Sequence, residues 1–445
     1  MPRPQRKKRL PASTQLNTES NGRRLMAIPE LLTLIIDGLD AQEQRKLMRV
    51  SKHFFGFIGP IAWKSIPRLD VIMRLIKNAN IKLSQSWAPY KYQFVTTFPS
   101  RTRSKPDLSR YDIYAPWVQE LEIYGGYYQE IADSNSFLTL LGGRPPLPNL
   151  RRLTAYTIAP IDGQDLMDFF NMFISPSLTE LRTIIPNEGL PQISGCSVPP
   201  LSVPKFLEKI QKTCPQIHVL EFYPEDRYAS NRSQRYIPSN ESRSILSSFL
   251  NLRSFSSTTY TLESAIFSIL GQLPHLESLG IRGSPVERSV LDKQLSIPET
   301  WFPVLKELRL YDVDPEDIQV LWNQPNIAKK LTSLLIQADD TAQRYENDSR
   351  LRGTNWLHPF LEALPGLSPL IQDVVLYMGS LDSRIEIPRH HWKYLGRDGD
   401  IYYAFHDYRA AMYSHKSGWC TCRDRPVVNH YPLCVKAESH GLSLS

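Results

Sequence analysis

The sequence predicts an α/β protein in which three short N-terminal helices precede a long solenoid-like array of strand–helix units. Three observations predict it. The pattern apolar-x-x-apolar-x-(apolar or small) recurs nine times, starting at Val118, Leu150, Leu178, Ile217, Leu252, Leu276, Leu305, Leu331 and Ile371, and such short runs with side chains alternating between two faces read as strands. Amphipathic helical stretches lie between them: Thr261 to Leu273 puts Leu262, Ile266, Ile269 and Leu273 on one face, Asp314-Pro315 opens a stretch carrying Ile318, Leu321 and Trp322, and Leu357, Phe360, Leu361 and Leu364 line another. A proline stands two residues before the pattern in seven of the nine cases (Pro116, Pro148, Pro176, Pro215, Pro274, Pro303, Pro369), where it stops a helix and enters a strand without losing a ladder donor. One such unit cannot cover its own apolar face, whereas stacked neighbours bury a continuous core. The period is loose, 24 to 40 residues between successive starts, and a compact βα fold that is not a horseshoe gives the same pattern.

The totals fit this reading. With 445 residues, 41% hydrophobic and 22% charged, the chain buries a large core in two to three domains or one long array. The formal charge is +7, but residues 1–26 carry Arg3, Arg6, Lys7, Lys8, Arg9, Arg23 and Arg24 against Glu19 alone, so nearly all of the excess sits in that segment and nucleic acid is not expected as a partner of the body. The basic tail reads as a solvated terminus or as a nuclear import signal. No apolar run follows it in the manner of a signal peptide, and no later run approaches a membrane span. Five cysteines (Cys196, Cys214, Cys420, Cys422, Cys434) form no disulfide framework. A soluble protein of the cytoplasm and/or nucleus is therefore expected, and the sequons at Asn231, Asn240 and Asn347 carry little weight.

From residue 27 to 66 the helices follow one another closely. Leu32, Ile35, Ile36 and Leu39 fall at helical spacing behind Pro29, which suits a first helical position. Asp40 with Glu43 reads as the capping box of a second helix that buries Leu47 and Val50. Ser51 is a natural cap for a third, presenting Phe54, Ile58 and Ile61 until Gly59-Pro60 ends or kinks it, and Trp63 follows as an apolar anchor. About forty residues hold less than a self-sufficient core usually needs, so this unit is expected to lean on something else.

Ile28-Pro29-Glu30, an apolar helix closing on Leu39-Asp40, then Leu47-x-x-Val50-Ser51-Lys52-x-Phe54-Phe55 and Trp63 together resemble an F-box. The resemblance implies a substrate receptor of SCF-type cullin-RING ubiquitin ligases, which docks on the small adaptor subunit and through it joins a cullin. It also implies that Ile28, Pro29, Leu32, Ile35, Leu39, Leu47, Val50 and Trp63 contact the adaptor or form the motif's core. The sequence departs from the family in Ile28 for the usual Leu and in Phe54-Phe55 where Trp is frequent.

Residues 67–116 open on an apolar helical pattern (Leu69, Ile72, Met73, Leu75, Ile76) and turn polar and proline-containing, as a partly structured connector does. The array over residues 117–380 resembles the irregular leucine-rich repeats found behind F-boxes, without their usual asparagine: Gly126, Ile158, Pro186, Val313, Asp339 and Gly379 stand in its place. If the strands stack in parallel, the residues three and five after each start face the core and those four and six after it face outward. Tyr124, Tyr156, Tyr223, Arg282, Tyr311 and Tyr377 occupy the sixth place, beside Glu122, Arg182, Glu221 and Arg309. Tyrosine suits protein recognition, offering large contact area at low entropic cost, and is also simply a good strand residue. Polar stretches at Pro186 to Pro204, Glu225 to Arg243 and Asp339 to Arg352 read as surface loops.

Residues 381–445 are rich in aromatics and histidine and read as a cap on the last unit. Cys420, Cys422, His430 and Cys434 form a weak zinc candidate, since a one-residue gap between thiolates is tighter than usual. A zinc-dependent nucleic-acid binder using this end and the basic tail is the weakest reading. The chain holds no GxxxxGK[ST], HExxH, GxSxG or GxGxxG, so a non-catalytic protein without a cofactor is expected. Two functions stay open: a receptor that brings a protein target to a ubiquitin ligase, and a leucine-rich-repeat scaffold with no ligase role.

Overall fold

The computed structural model describes residues 28–66, 68–84, 93–98, 106–123, 128–131, 134–155, 170–183, 197–224, 236–283, 288–338, 357–378 and 401–405. They divide into two compact units, residues 1–64 and 65–445.

The first unit holds three helices, α1 (Pro29–Asp37), α2 (Ala41–Leu47) and α3 (Lys52–Ala62). Its local chemistry follows the sequence. Asp40 accepts from the Gln42 and Glu43 amides (both 2.8 Å) while the Glu43 carboxylate accepts from the Asp40 amide (3.1 Å), and Ser51 Oγ accepts from the Phe54 amide at 3.1 Å. Two expectations are corrected. Met48 is buried where Val50 was expected to be, and Val50 stands in solvent. Pro60 lies inside α3 and does not end it: only the bond its own missing N–H would make is lost, because the Trp63 amide still donates to Gly59 O (3.0 Å) and the Lys64 amide to Ile61 O (3.2 Å).

The second unit is α/β, built on a wholly parallel sheet of eleven strands. In chain order its elements are β1 (Ser65–Ile66), α4 (Leu69–Met73), β2 (Asn80–Ser84), β3 (Gln93–Thr97), α5 (Tyr111–Tyr114), β4 (Glu120–Ile123), β5 (Tyr128–Ile131), α6 (Ser134–Leu140), β6 (Arg152–Ala155), β7 (Glu180–Thr183), β8 (Ser197–Val198), α7 (Val203–Thr213), β9 (Val219–Glu221), β10 (Tyr223–Pro224), α8 (Asn240–Ser247), β11 (Ser254–Thr258), α9 (Ser264–Gly271), β12 (Ser278–Arg282), β13 (Glu307–Tyr311), α10 (Pro315–Trp322), α11 (Pro325–Ala328), β14 (Ser333–Ala338), α12 (Leu357–Leu367), β15 (Asp373–Met378) and β16 (Ile401–Phe405). The sheet runs β1-β4-β6-β7-β9-β11-β12-β13-β14-β15-β16, while β2-β3-β5 and β8-β10 form small side sheets. Strand order advances with the chain and never reverses, so the sheet lacks the switch point at which doubly wound folds bind their ligands.

All nine sequence patterns become strands of this sheet, each strand beginning two residues after the pattern's first apolar residue. That first residue closes a tight turn. The Leu150 amide donates to Leu147 O (3.2 Å), Leu178 to Ser175 O (3.0 Å), Ile217 to Cys214 O (3.1 Å) and Ile371 to Ser368 O (3.1 Å). In each of these turns a proline fills the second place, where its fixed φ is already the one required. One carbonyl then accepts two amides of the next strand entry: Gln119 O takes those of Arg151 (2.7 Å) and Arg152 (2.9 Å), and the step recurs at the carbonyls of Arg151, Thr179, His218, Arg253, Glu277, Lys306 and Thr332. Four turns are also tied to the preceding one through a side chain, from Asn149 to Pro116 O (2.7 Å), Ser177 to Pro148 O (2.9 Å), Asn251 to Pro215 O and Lys330 to Phe302 O (both 3.2 Å). These bonds lie at the strand entry, not in the loops after the strands where the missing asparagine would have stood.

The core runs along one face of the sheet. Leu121, Leu153, Leu181, Leu220, Phe255, Leu279, Leu308, Leu334 and Val374, each three residues after a pattern start, are buried. Phe206 of α7 meets Phe222 (5.5 Å between ring centroids), which meets Phe255 (6.0 Å), so α7 covers this face. Among the described residues of the segment 67–116, α4 buries Leu69, Ile72 and Met73, and β2 and β3 pair antiparallel. Beyond the nine patterns, β1 opens the sheet and β16 closes it. Of the three expected polar loops, the second half of Pro186 to Pro204 carries β8 and the start of α7, and α8 begins inside Glu225 to Arg243; Asp339 to Arg352 lies outside the described residues.

Candidate interaction surfaces

In the first unit the apolar residues of α1 divide between two directions. Leu32 and Ile36 point into the unit and are buried. Ile28, Leu31 and Ile35, at i, i+3 and i+7, share another face with Leu34 beside them, and all four are exposed, Leu34 by 69%. Val50, between α2 and α3, is 65% exposed. The unit therefore shows five large aliphatic side chains to solvent within a few turns of chain. It is held in shape by polar links: the Gln44 side-chain Nε2 donates to Ile36 O (3.0 Å) and Leu39 O (3.1 Å) at the end of α1, and the Arg45 guanidinium lies 5.6 Å from the centre of the Trp63 ring. Of the residues the resemblance points to, Ile28, Pro29, Ile35 and Val50 are exposed, Leu39, Leu47 and Trp63 are half-buried, and Leu32 belongs to the core.

The second candidate surface is the sheet face opposite the helices. Parallel register lines its residues up in rows across the strands. One row pairs Glu120 with Arg152 and Arg152 with Glu180, and these side chains form a charged chain: Arg152 Nε and Arg182 Nε each donate to Glu180 Oε2 at 2.7 Å, Arg152 Nη1 lies 3.5 Å from Glu120, and His218 Nε2 lies 3.5 Å from Glu180. Burial alone pushes the Glu180 carboxyl up, but the hydrogen bonds and charges of Arg152 and Arg182 outweigh it and bring it down to about 2.

A second row aligns Glu221, Ser256, Gly280 and Arg309. Arg309 reaches over Gly280 to bond Ser256 Oγ (3.1 Å), Ser254 Oγ (3.2 Å) and Glu221 Oε1 (3.2 Å). Glycine at 280 makes room for Ser256, because a Cβ there would stand 2.2 Å from Ser256 Oγ, one of the acceptors of Arg309. The pair is well shielded, Glu221 almost completely. Sequence reasoning named Glu221, Arg309 and Arg182 only as neighbours of tyrosines; their joint role needs the register, which a single strand does not display.

The tyrosine surface is corrected in part. Tyr223 and Tyr311 are 1% and 2% exposed and offer no contact area to a partner. Tyr223 ends in the side sheet with β8, not in the main one, and Arg282 lies 5.5 Å from its ring centre. Arg282 is half-buried. Tyr124 and Tyr156 lie outside the described residues, as do Cys420, Cys422, His430 and Cys434, while Tyr377 is placed in β15 by its backbone alone. Among the described residues no cluster of His, Cys, Asp or Glu could hold a metal ion, and no helix is long and apolar enough to cross a membrane. No protein-family model matches the chain, and no curated protein sequence does.

Proposed function

We propose that this protein is the substrate receptor of an SCF-type ubiquitin ligase: the helical unit is an F-box that docks on the adaptor, and the βα array is an irregular leucine-rich-repeat solenoid that holds a protein target. The observation that carries the reading is the aliphatic face of α1. A unit of three short helices that keeps Ile28, Leu31, Leu34, Ile35 and Val50 in solvent leaves unburied what a small domain most needs to bury, and three of the five, Ile28, Ile35 and Val50, are among the residues that the F-box resemblance points to. The sequential parallel strands and the recurring strand-entry bonds support the solenoid half, since a stack of like units repeats its backbone contacts from step to step. The protein would form no bond to ubiquitin. Holding the target and the ligase in one assembly raises the effective concentration of the target's lysines near the charged ubiquitin carrier.

Titration of the purified full-length chain with the adaptor tests this. Micromolar or tighter binding is expected, weakened at least about a hundredfold by the pair Leu34→Asp and Ile35→Asp, which places two charges in a buried apolar contact. No binding by the unmodified chain, or equal binding by the pair, would leave the scaffold reading in its place.

A further inference from the structure

We infer that Ser51 is a phosphorylation site, and that phosphate there releases the helical unit from its adaptor; the second half rests on the receptor reading above. Three observations meet at this serine. Ser51 is exposed in extended backbone (φ −156°, ψ 162°), between the turn Met48-Arg49-Val50 and Lys52, the first residue of α3, so a kinase cleft that takes the serine has only the fraying first turn of α3 to open. Its flanks in the sequence are basic: Arg45, Lys46, Arg49 and Lys52 stand close to it, and no Asp or Glu occurs between Gln44 and Lys64. Kinases with acidic clefts choose their acceptors by such flanks, as charge complementarity steers any partner. The neighbour Val50 belongs to the exposed aliphatic set.

The reaction is a phosphoryl transfer from Mg-ATP. Ser51 Oγ forms the new bond to the γ-phosphorus, the bond to ADP breaks, and the hydroxyl proton leaves to the kinase's base. The product fits the fold. Ser51 Oγ already accepts from the Phe54 amide at the start of α3, and a phosphate at that helix end is favoured by the dipole and by Arg49 and Lys52 beside it. It does not fit an apolar interface, because a partner that covers Val50 must strip water from a group of charge near −2. Fold retained with docking lost is the behaviour of a switch.

The test treats the full-length chain with an arginine-directed protein kinase and Mg-ATP, locates the phosphate by mass spectrometry, and measures adaptor affinity and Tm before and after, with phosphatase reversal. Phosphate on Ser51, an unchanged or higher Tm and an adaptor affinity at least about tenfold weaker are expected, with affinity restored by the phosphatase. Ser51→Asn, which keeps a capping side chain without charge, should bind like the unmodified chain and lose nothing on kinase treatment. A Ser51 that takes no phosphate, or a fully phosphorylated chain that binds undiminished, overturns the inference. If the unmodified chain never binds, the receptor reading falls instead, and Ser51 is judged on where the phosphate is found.

Discussion

At the scale of single residues, the polar face of the sheet makes its own acid sensitivity. Glu180 is held at about 2 against an ordinary 4.5, so its native state favours the ionised form. That contribution is complete above the unfolded value and is lost as the pH falls from 4.5 toward 2. Glu180→Gln should therefore lower Tm at neutral pH and flatten its decline between pH 4.5 and 2, which thermal melts of both proteins across that range would show; parallel curves would mean that Arg152 and Arg182 do not stabilise the carboxylate. Gly280 gives a second prediction. A methyl group there meets Ser256 Oγ at 2.2 Å, so Gly280→Ala should cost about 1–3 kcal/mol by urea unfolding and turn Ser256 Oγ away from Arg309. The sequence displayed both ends of that ion pair but not the pair. Positions 221 and 309 are 88 residues apart, and only the shared register brings them within bonding distance.

At the scale of elements, strands and caps were legible and burial was legible on one face only. An apolar residue at the start and another three residues on are enough to mark each strand and its core side, and Asp40, Glu43 and Ser51 announce their caps by type and spacing. The opposite face was not legible, because alternation says which way a side chain points and not what lies over it. Tyr311 stands in the main sheet at the place the pattern gives it and is covered all the same, and Tyr223, in the side sheet, is covered too. Nor could alternation show β1 and β16, the one only two residues long and the other an aromatic run without the leucine pattern. In α1 the same limit separates Leu32 from Ile35, which helical spacing puts on one face although Leu32 is buried and Ile35 exposed. Leu32→Asp should cost at least about 3 kcal/mol, since it buries an unpaired charge, whereas Leu34→Asp and Ile35→Asp should each stay within about 0.5 kcal/mol of the unmodified protein. Chemical unfolding of the three variants separates a core position from a docking position before any partner is added.

At the scale of the whole molecule, the order of the strands sets how stability is distributed. In the sheet unit every inner strand is bonded on both sides, while β1 and β16 are bonded on one side each, and the doubled carbonyl bonds at the strand entries link successive steps from Gln119 to Asp373. Cooperation of this kind passes between nearest neighbours and is weakest at the ends. The middle of the sheet has two further ties: Arg309 spans from β13 to β9, and the buried carboxylate of Asp317 on α10 accepts from the Val290 and Leu291 amides and from Ser289, fastening the long connection before β13. Burial pushes the Asp317 carboxyl up while those three donors pull it down without cancelling the shift. Amide exchange should accordingly be slowest in β11, β12 and β13 and faster toward β1 and β16, with a graded profile and not a single plateau. Asp317→Ala, which leaves the half-buried Val290 amide and the buried Leu291 amide without an acceptor, should cost about 2–4 kcal/mol and raise exchange first in residues 288–297 and then in β12 and β13, leaving β4 and β6 as they were. Uniform acceleration across all eleven strands would instead mark the sheet as one cooperative block, in which no strand opens before another.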